Sequence, residues 1–221
     1  MERVVEPELM VDVDQARAYS EADFAEPHQA AIDRFATRFP DFSGTRVLDL
    51  ACGPADVTVR FARAYPTTVL LGVDGSAAML ALGRGRVAEA GLESRITLEE
   101  RLLPDAGLRT HGPFDAIVCT SALHHFHDPA TLWDAVRACA RPGAAVLVQD
   151  LMRPRSVAVA HDFVEQYASG DPEVLRRDYF HSLCAAFTVE EVRAQVASAR
   201  LGSLSVEAVS DRHLLVVGRV V

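Results

Sequence analysis

This 221-residue sequence has few of the groups that would hold or anchor it by anything other than packing. Its four cysteines, Cys52, Cys119, Cys139 and Cys184, lie far apart and form no C-x-x-C pair. That argues against a disulfide framework or a zinc ribbon and leaves buried, reduced thiols as the expectation. Basic charge is also short: 22 Lys and Arg face 31 Asp and Glu, for a net charge of -9. Nonspecific binding to nucleic acid relies on cations displacing counterions from phosphates, so nucleic acid is not an expected partner. No window approaches the roughly 20 apolar residues that span a bilayer, and Met1 to Met10 carries acids where a signal peptide has a basic start and an apolar middle. No membrane association is expected, and the expected location is cytoplasmic. Repeats and low-complexity tracts are absent as well. Hydrophobic residues at 49% and charged residues at 24% match ordinary globular composition, and the length favours one domain, 1–221.

From Thr45 onward, short β-rich runs alternate with helical stretches, the pattern of a parallel sheet covered on both faces. Arg46 to Leu50 and Val69 to Val73 read as the first two strands, with Ala55 to Tyr65 as a helix between them and Ala77 to Ala90 as the next. Arg95 to Glu99 is a weaker third strand and Phe114 to Cys119 a fourth. Asp128-Pro129 then opens a helix that Arg141-Pro142-Gly143 breaks, and Ala144 to Leu151 is an apolar fifth strand. Arg153 to Phe187 reads as a helical insertion. Thr188 to Glu191 fits a capping box, and Leu204 to Val209 with His213 to Val220 reads as a closing hairpin. The predicted fold is α/β and doubly wound: a mostly parallel seven-stranded sheet with an antiparallel C-terminal hairpin strand, an N-terminal helical segment and an insertion after the fifth strand. Within it, 1–44 is a lid segment, 45–151 a cofactor-binding core, 152–187 a second lid and 188–221 the closing helix and hairpin.

In such a sheet the ligand lies beyond the carboxyl ends of the strands, so the loop after the first strand is the place to look. That loop, Ala51 to Asp56, lacks the three glycines of a dinucleotide fingerprint. It has instead an acid at the strand end, Asp49, and one glycine, Gly53. A second acid, Asp74, ends the second strand, where a carboxylate can accept hydrogen bonds from ribose hydroxyls. A carboxylate suits an α-ammonium better than a pyrophosphate.

Together, Val47 to Pro54 (VLDLACGP), Gly72 to Ser76 (GVDGS) with Met79, and Phe114 to Val118 leading into Ser121-Ala122-Leu123-His124-His125 resemble the class I S-adenosylmethionine-dependent methyltransferase family. The resemblance implies S-adenosylmethionine as cofactor, S-adenosylhomocysteine as product and methyl transfer to an acceptor. It also implies contact with the methionine moiety by Asp49, Ala51 and Gly53, and with ribose by Asp74. Adenine is implied against Gly75, Ser76, Met79 and Arg101-Leu102, with Thr120 and Ser121 beneath the sulfonium. The family usually has glycine where this chain has Ala51 and Ala55, and an alanine at positive φ carries a steric cost. Family members often have an acid where Arg101 aligns, with Glu100 and Asp105 nearby.

Methyl transfer from a sulfonium requires alignment, exclusion of water and, for some acceptors, removal of a proton. Ser121 to Asp128 (SALHHFHD) offers His124 and then His125 as catalytic histidines. No third ligand stands at metal-binding spacing from His124 and His127, so no metal is expected. Asp150 could orient a substrate or a histidine, and Arg153 with Arg155 could meet a substrate carboxylate. Tyr19, Asp23 and Phe24, and in the insertion His161, Tyr167, Tyr179 and His181, are candidate lid residues, with Tyr19 over the cofactor and Tyr179 or His181 on the acceptor side. The acidic charge and the lack of an Asn/Asp-Pro-Pro-aromatic motif favour a small-molecule acceptor. Two other readings stay open from the sequence, a catalytically silent S-adenosylmethionine-binding partner and, less favoured, an NAD-dependent oxidoreductase.

Overall fold

The computed structural model describes residues 1–6, 9–22 and 24–221, so Asp23 lies outside the described residues. Seven strands form one sheet: β1 (Arg46–Leu50), β2 (Val69–Asp74), β3 (Ile96–Glu100), β4 (Phe114–Thr120), β5 (Ala140–Leu151), β6 (Ser205–Ala208) and β7 (His213–Arg219). Their order is β3-β2-β1-β4-β5-β7-β6. β1 to β5 pair in parallel, while β7 runs antiparallel to both β5 and β6. This is the expected doubly wound sheet with its hairpin strand. The strand order reverses direction between β1 and β4, so the loops that follow these two strands diverge and open a crevice at their carboxyl ends.

Eight α-helices accompany it among the described residues: α1 (Val13–Glu21), α2 (Ala25–Arg38), α3 (Asp56–Ala64), α4 (Ala77–Glu89), α5 (Ala130–Cys139), α6 (Val157–Tyr167), α7 (Glu173–Ala185) and α8 (Val189–Ser198). Side-chain alternation sends Leu48 and Leu50 of β1 into one core layer with Trp133, Val136 and Val192. Val47 faces the other layer, with Phe35, Phe61 and Ala62. Each fully buried side chain of this size contributes about 1.5–3 kcal/mol. The α5 stripe Leu132, Trp133, Val136 and Cys139 recurs at helical spacing, and the Trp133 indole N–H donates to Gln195 Oε1 at 3.1 Å, so burying that ring leaves no orphan donor. The capping box at Thr188 and Glu191 forms as expected.

Element boundaries shift by a residue or so at several ends, and the largest departure from the sequence expectation is the start of β5. β5 begins at Ala140, not Ala144, because Phe114 pairs with Ala140 across a register shift before regular pairing resumes at Ala116 and Ala145. The Arg141-Pro142-Gly143 run therefore lies within an irregular edge of the strand and does not separate it from α5. No helix among the described residues is long and apolar enough to cross a membrane.

Candidate cofactor and acceptor site

β1 delivers Asp49 to the crevice on the α3 side, and Asp49 is completely buried. One carboxylate oxygen, Oδ2, accepts a 2.5 Å hydrogen bond from the Thr58 hydroxyl, while Oδ1 is buried without a hydrogen-bond partner. Burial pushes this carboxyl up to about 7 against the opposing pull of the Thr58 bond, and the charge of Asp74 adds to the rise. A buried carboxylate oxygen left unmatched at a strand end is complementary to a cation. Thr58 was not foreseen from the sequence. Its signal is a lone polar residue on the apolar stripe of α3, one turn before Phe61 and Ala62.

The loop from β1 to α3 is built from left-handed residues: Ala51 at φ 55°, Gly53 at φ 52° and Ala55 at φ 60°. Both alanines thus take the positive φ that the family pattern reserves for glycine. Crossed hydrogen bonds hold the loop. Cys52 N–H donates to Val73 O at 3.0 Å, and Gly53 N–H donates to Asp74 Oδ2 at 2.8 Å. No atom lies within 4 Å of where a Cβ on Gly53 would stand, so the backbone there borders open space. A left-handed alanine costs about 1–2 kcal/mol, part of which is recovered because alanine has less freedom than glycine when unfolded. Ala51→Gly is therefore expected to stabilise the protein by about 0.5–1 kcal/mol, or roughly 1–4 °C in thermal unfolding. A lower melting temperature would mean that the packing of the Ala51 methyl outweighs its strain.

Asp74 uses both oxygens on backbone, Oδ2 on Gly53 N–H and Oδ1 on Ser76 N–H, the latter at 2.8 Å. Each oxygen keeps a second lone pair. Burial raises this carboxyl against the pull of the two N–H bonds. Ser76 caps α4 by accepting from Met79 N–H and donates its own hydroxyl to Met10 O at 2.6 Å. A Cβ on Gly75 would meet Leu9 at 2.7 Å and Leu102 at 3.2 Å. The N-terminal segment thus packs onto the loop after β2, where the adenine contacts are expected. The Arg101 backbone N–H donates to Asp74 O at 2.9 Å, and its guanidinium bonds Glu99 at 2.7 Å and Asp105 at 2.6 Å.

Tyr19 projects from α1 toward the crevice, where burial and the charges of Asp150, Asp74 and Asp56 push its hydroxyl up to about 12. With Phe24, His28, Pro54 and Asp56 it lines a cavity of about 140 Å³. Arg86, unremarked in the sequence, ties this side together by donating to Pro54 O and Ser20 O at 2.8 and 3.0 Å.

Across the crevice, Ser121 ends β4 with φ 53°, and a short turn places His124, 3% exposed, against Asp150 of β5. Asp150 accepts from His124 backbone N–H at 2.8 Å and meets its Nδ1 at 2.5 Å. Burial disfavours the His124 cation, but the charge and hydrogen bond of Asp150, with the charge of Glu6, outweigh it and raise the imidazole above its ordinary value. Burial likewise disfavours the Asp150 anion, yet His124 and the backbone donors hold that carboxyl below its ordinary range. The Nε2 of His124 faces Glu6 Oε1 at 3.5 Å, and His125 Nδ1 faces the same oxygen at 3.4 Å. Glu6 also accepts from the Ser182 hydroxyl.

Of the other substrate candidates, Arg153 is bound to Glu191 at 2.5 Å and to Ala186 O. Tyr179 packs beside the small core of Ala160, Val164 and Leu183, and its hydroxyl is buried without a partner. His181 is exposed on α7, within electrostatic reach of Glu6. Thr120 and Ser121 lie partly exposed at the end of β4, between the Asp49 and His124 sides.

Residues 47–143, from the first buried residue of β1 to the start of β5, match a family described as a methyltransferase domain. This match, over 97 of the 221 residues, is consistent with a class I S-adenosylmethionine-dependent methyltransferase. The ubiquinone biosynthesis O-methyltransferase of Xanthomonas oryzae pv. oryzae is 35% identical over 127 residues, covering 54% of this chain and 49% of that protein. The chain spans about half the length of this methyltransferase and of the other ubiquinone-biosynthesis relatives it matches. Among solved structures, an O-methyltransferase family protein from Burkholderia thailandensis superposes with a TM-score of 0.70 at 18% identity, covering 92% of this chain and 59% of that one. The plantazolicin methyltransferase, solved with S-adenosylhomocysteine and a desmethyl-plantazolicin analogue, gives 0.66 at 12% identity, covering 94% and 89%. At these identities the methyltransferase fold is what the superpositions establish.

Proposed function

We propose that this chain, acting as one unit in the cytoplasm, transfers the methyl group of S-adenosylmethionine to a small-molecule acceptor. The observation that carries this reading is the unmatched, buried Oδ1 of Asp49 beside the open face of Gly53. An α-ammonium supplies the missing donor, and a main chain without a Cβ lets the methionine moiety lie close. Asp74 offers its remaining lone pairs to the ribose hydroxyls. Gly75, Ser76, Met79 and Leu102 border the adenine, while Thr120 and Ser121 lie below the reacting centre. Bound there, the cofactor supplies a methyl carbon activated by the neighbouring sulfonium. The chain aligns the acceptor, shuts out water with α1 and the N-terminal segment, and handles the acceptor's proton.

That last task falls to His124. Asp150 fixes Nδ1, which leaves Nε2 for an acceptor hydroxyl once Glu6 gives way. Tyr19 closes over the cofactor from α1, and His181 borders the acceptor side. A small acceptor agrees with the net negative charge and with relatives named for ubiquinone biosynthesis and for plantazolicin.

The reading is tested by calorimetry with S-adenosylhomocysteine and by transfer of labelled methyl to a panel of phenols, carboxylates, amines and thiols. In the Asp74→Ala variant, affinity for S-adenosylhomocysteine is expected to fall by about 1–3 kcal/mol, since the variant loses ribose contacts and frees Gly53 N–H. Unchanged affinity would overturn the ribose assignment. Binding without transfer to any acceptor would favour a silent binding partner.

A further inference from the structure

The N-terminal segment reaches the catalytic side through contacts that leave Glu6 in an unusual position. Arg3 donates to the backbone oxygens of His124, Phe126 and Ala185, and Val4 N–H donates to Cys184 O. These bonds fix the segment across the β4 loop and the end of α7. They deliver the Glu6 carboxylate between His124 Nε2 and His125 Nδ1, at 3.5 and 3.4 Å. Both separations exceed the roughly 2.7–2.9 Å of a charge-assisted N–H···O bond. They match instead the edge of a tetrahedron: donor atoms that each lie about 2.0–2.1 Å from a zinc ion stand about 3.3–3.4 Å from one another. All three donor atoms lie within 4.8 Å of one another.

The surroundings also suit a metal. Asp150 engages the other ring nitrogen of His124 at 2.5 Å, which sets the tautomer and turns the Nε2 lone pair toward Glu6. A carboxylate behind a ligating histidine is the usual support of a zinc site. Two imidazoles and one carboxylate form a donor set that suits zinc among the divalent ions and leaves a fourth position open.

We propose that Glu6, His124 and His125 bind one divalent transition-metal ion, zinc best, and that the ion fastens the N-terminal segment over the acceptor side and occupies His124 Nε2. The site then regulates the activity proposed above: zinc closes the enzyme and a chelator releases it. Only this consequence for activity rests on the methyltransferase reading; the binding itself does not.

The test is calorimetric titration of the full chain with zinc after chelator treatment, together with the visible absorption of the cobalt-substituted protein. Expected are one ion per chain, the intense absorption of tetrahedral cobalt, and slowed amide exchange at Val4 when the metal is bound. Asp150→Asn should weaken zinc binding by about 10- to 100-fold through its support of His124. Glu6→Gln, a change on a peripheral segment, should weaken it further and abolish the cobalt band. No stoichiometric binding, or binding that Glu6→Gln and His125→Ala leave unchanged, would overturn the proposal. S-adenosylhomocysteine binding in the presence of chelator is measured separately. Because it depends on Asp49 and Asp74, its loss would count against the methyltransferase reading and not against the metal site.

Discussion

Asp49→Asn is expected to lose about 1.5–3 kcal/mol of binding to S-adenosylhomocysteine, roughly 10- to 150-fold, while leaving the ligand-free protein more stable above neutral pH. The two effects have one cause. Asp49 Oδ1 has no donor in the folded chain, and the carboxyl is raised to about 7 by burial. An unfolded Asp ionises near 3.9, so between about pH 4 and 7 the folded state holds a proton that the unfolded state has released. Stability therefore falls as pH rises through that window, and the penalty is complete above about 7. Asparagine is neutral throughout, accepts the Thr58 hydroxyl with its own oxygen, and escapes the penalty. The variant should melt higher than the parent at pH 8, with the gap narrowing as pH falls and closing near pH 4.

Binding has the opposite sign. The ligand's ammonium favours the ionised carboxylate, so affinity of the parent protein should rise with pH up to about 7 and then level off, with proton release on binding below that point. The variant should show neither trend. Calorimetry in buffers of different ionisation enthalpy measures the released proton directly. Equal affinity of parent and variant at pH 8 would remove Asp49 from the ammonium site.

The residues proposed for this half of the site are legible in the sequence because their chemistry is local. Asp49, Gly53 and Asp74 lie within one β-α-β unit, in which strand ends and the intervening loop fix their relative positions. The strands, their order of appearance and the closing hairpin follow from hydrophobic period, and the capping box at Thr188 from a four-residue pattern. What stayed hidden depends on chain-distant packing. Glu6 meets His124 across 118 positions, and Arg3 reaches Ala185 across 182, with no pattern in either segment to announce the contact. Arg101 illustrates the converse. The family resemblance implies its segment beside the adenine, but did not foresee that two nearby acids, Glu99 and Asp105, hold its planar fork. Thr58 lay between these cases, visible as a polar interruption of an apolar stripe yet without a partner until Asp49 was seen to lack one.

At the other end of the crevice, His124→Asn, assayed in chelator with an acceptor identified from the panel, is expected to lower kcat by about 10²- to 10⁴-fold with little change in cofactor affinity. Asparagine still offers Asp150 a donor from its amide, so the buried carboxylate is not orphaned and the variant isolates loss of the base from loss of the fold. The pH profile separates a base from a packing group. Asp150 raises the imidazole above its ordinary value, and only the neutral ring can take a proton. The parent rate should therefore fall as pH drops through a value above about 6.5. Asp150→Asn removes the charge that sustains the imidazolium, so its acidic limb should move to lower pH even as the maximum rate declines. A histidine that merely filled the loop would give His124→Asn the parent's kcat, and a profile unmoved by Asp150→Asn would show that another group takes the proton.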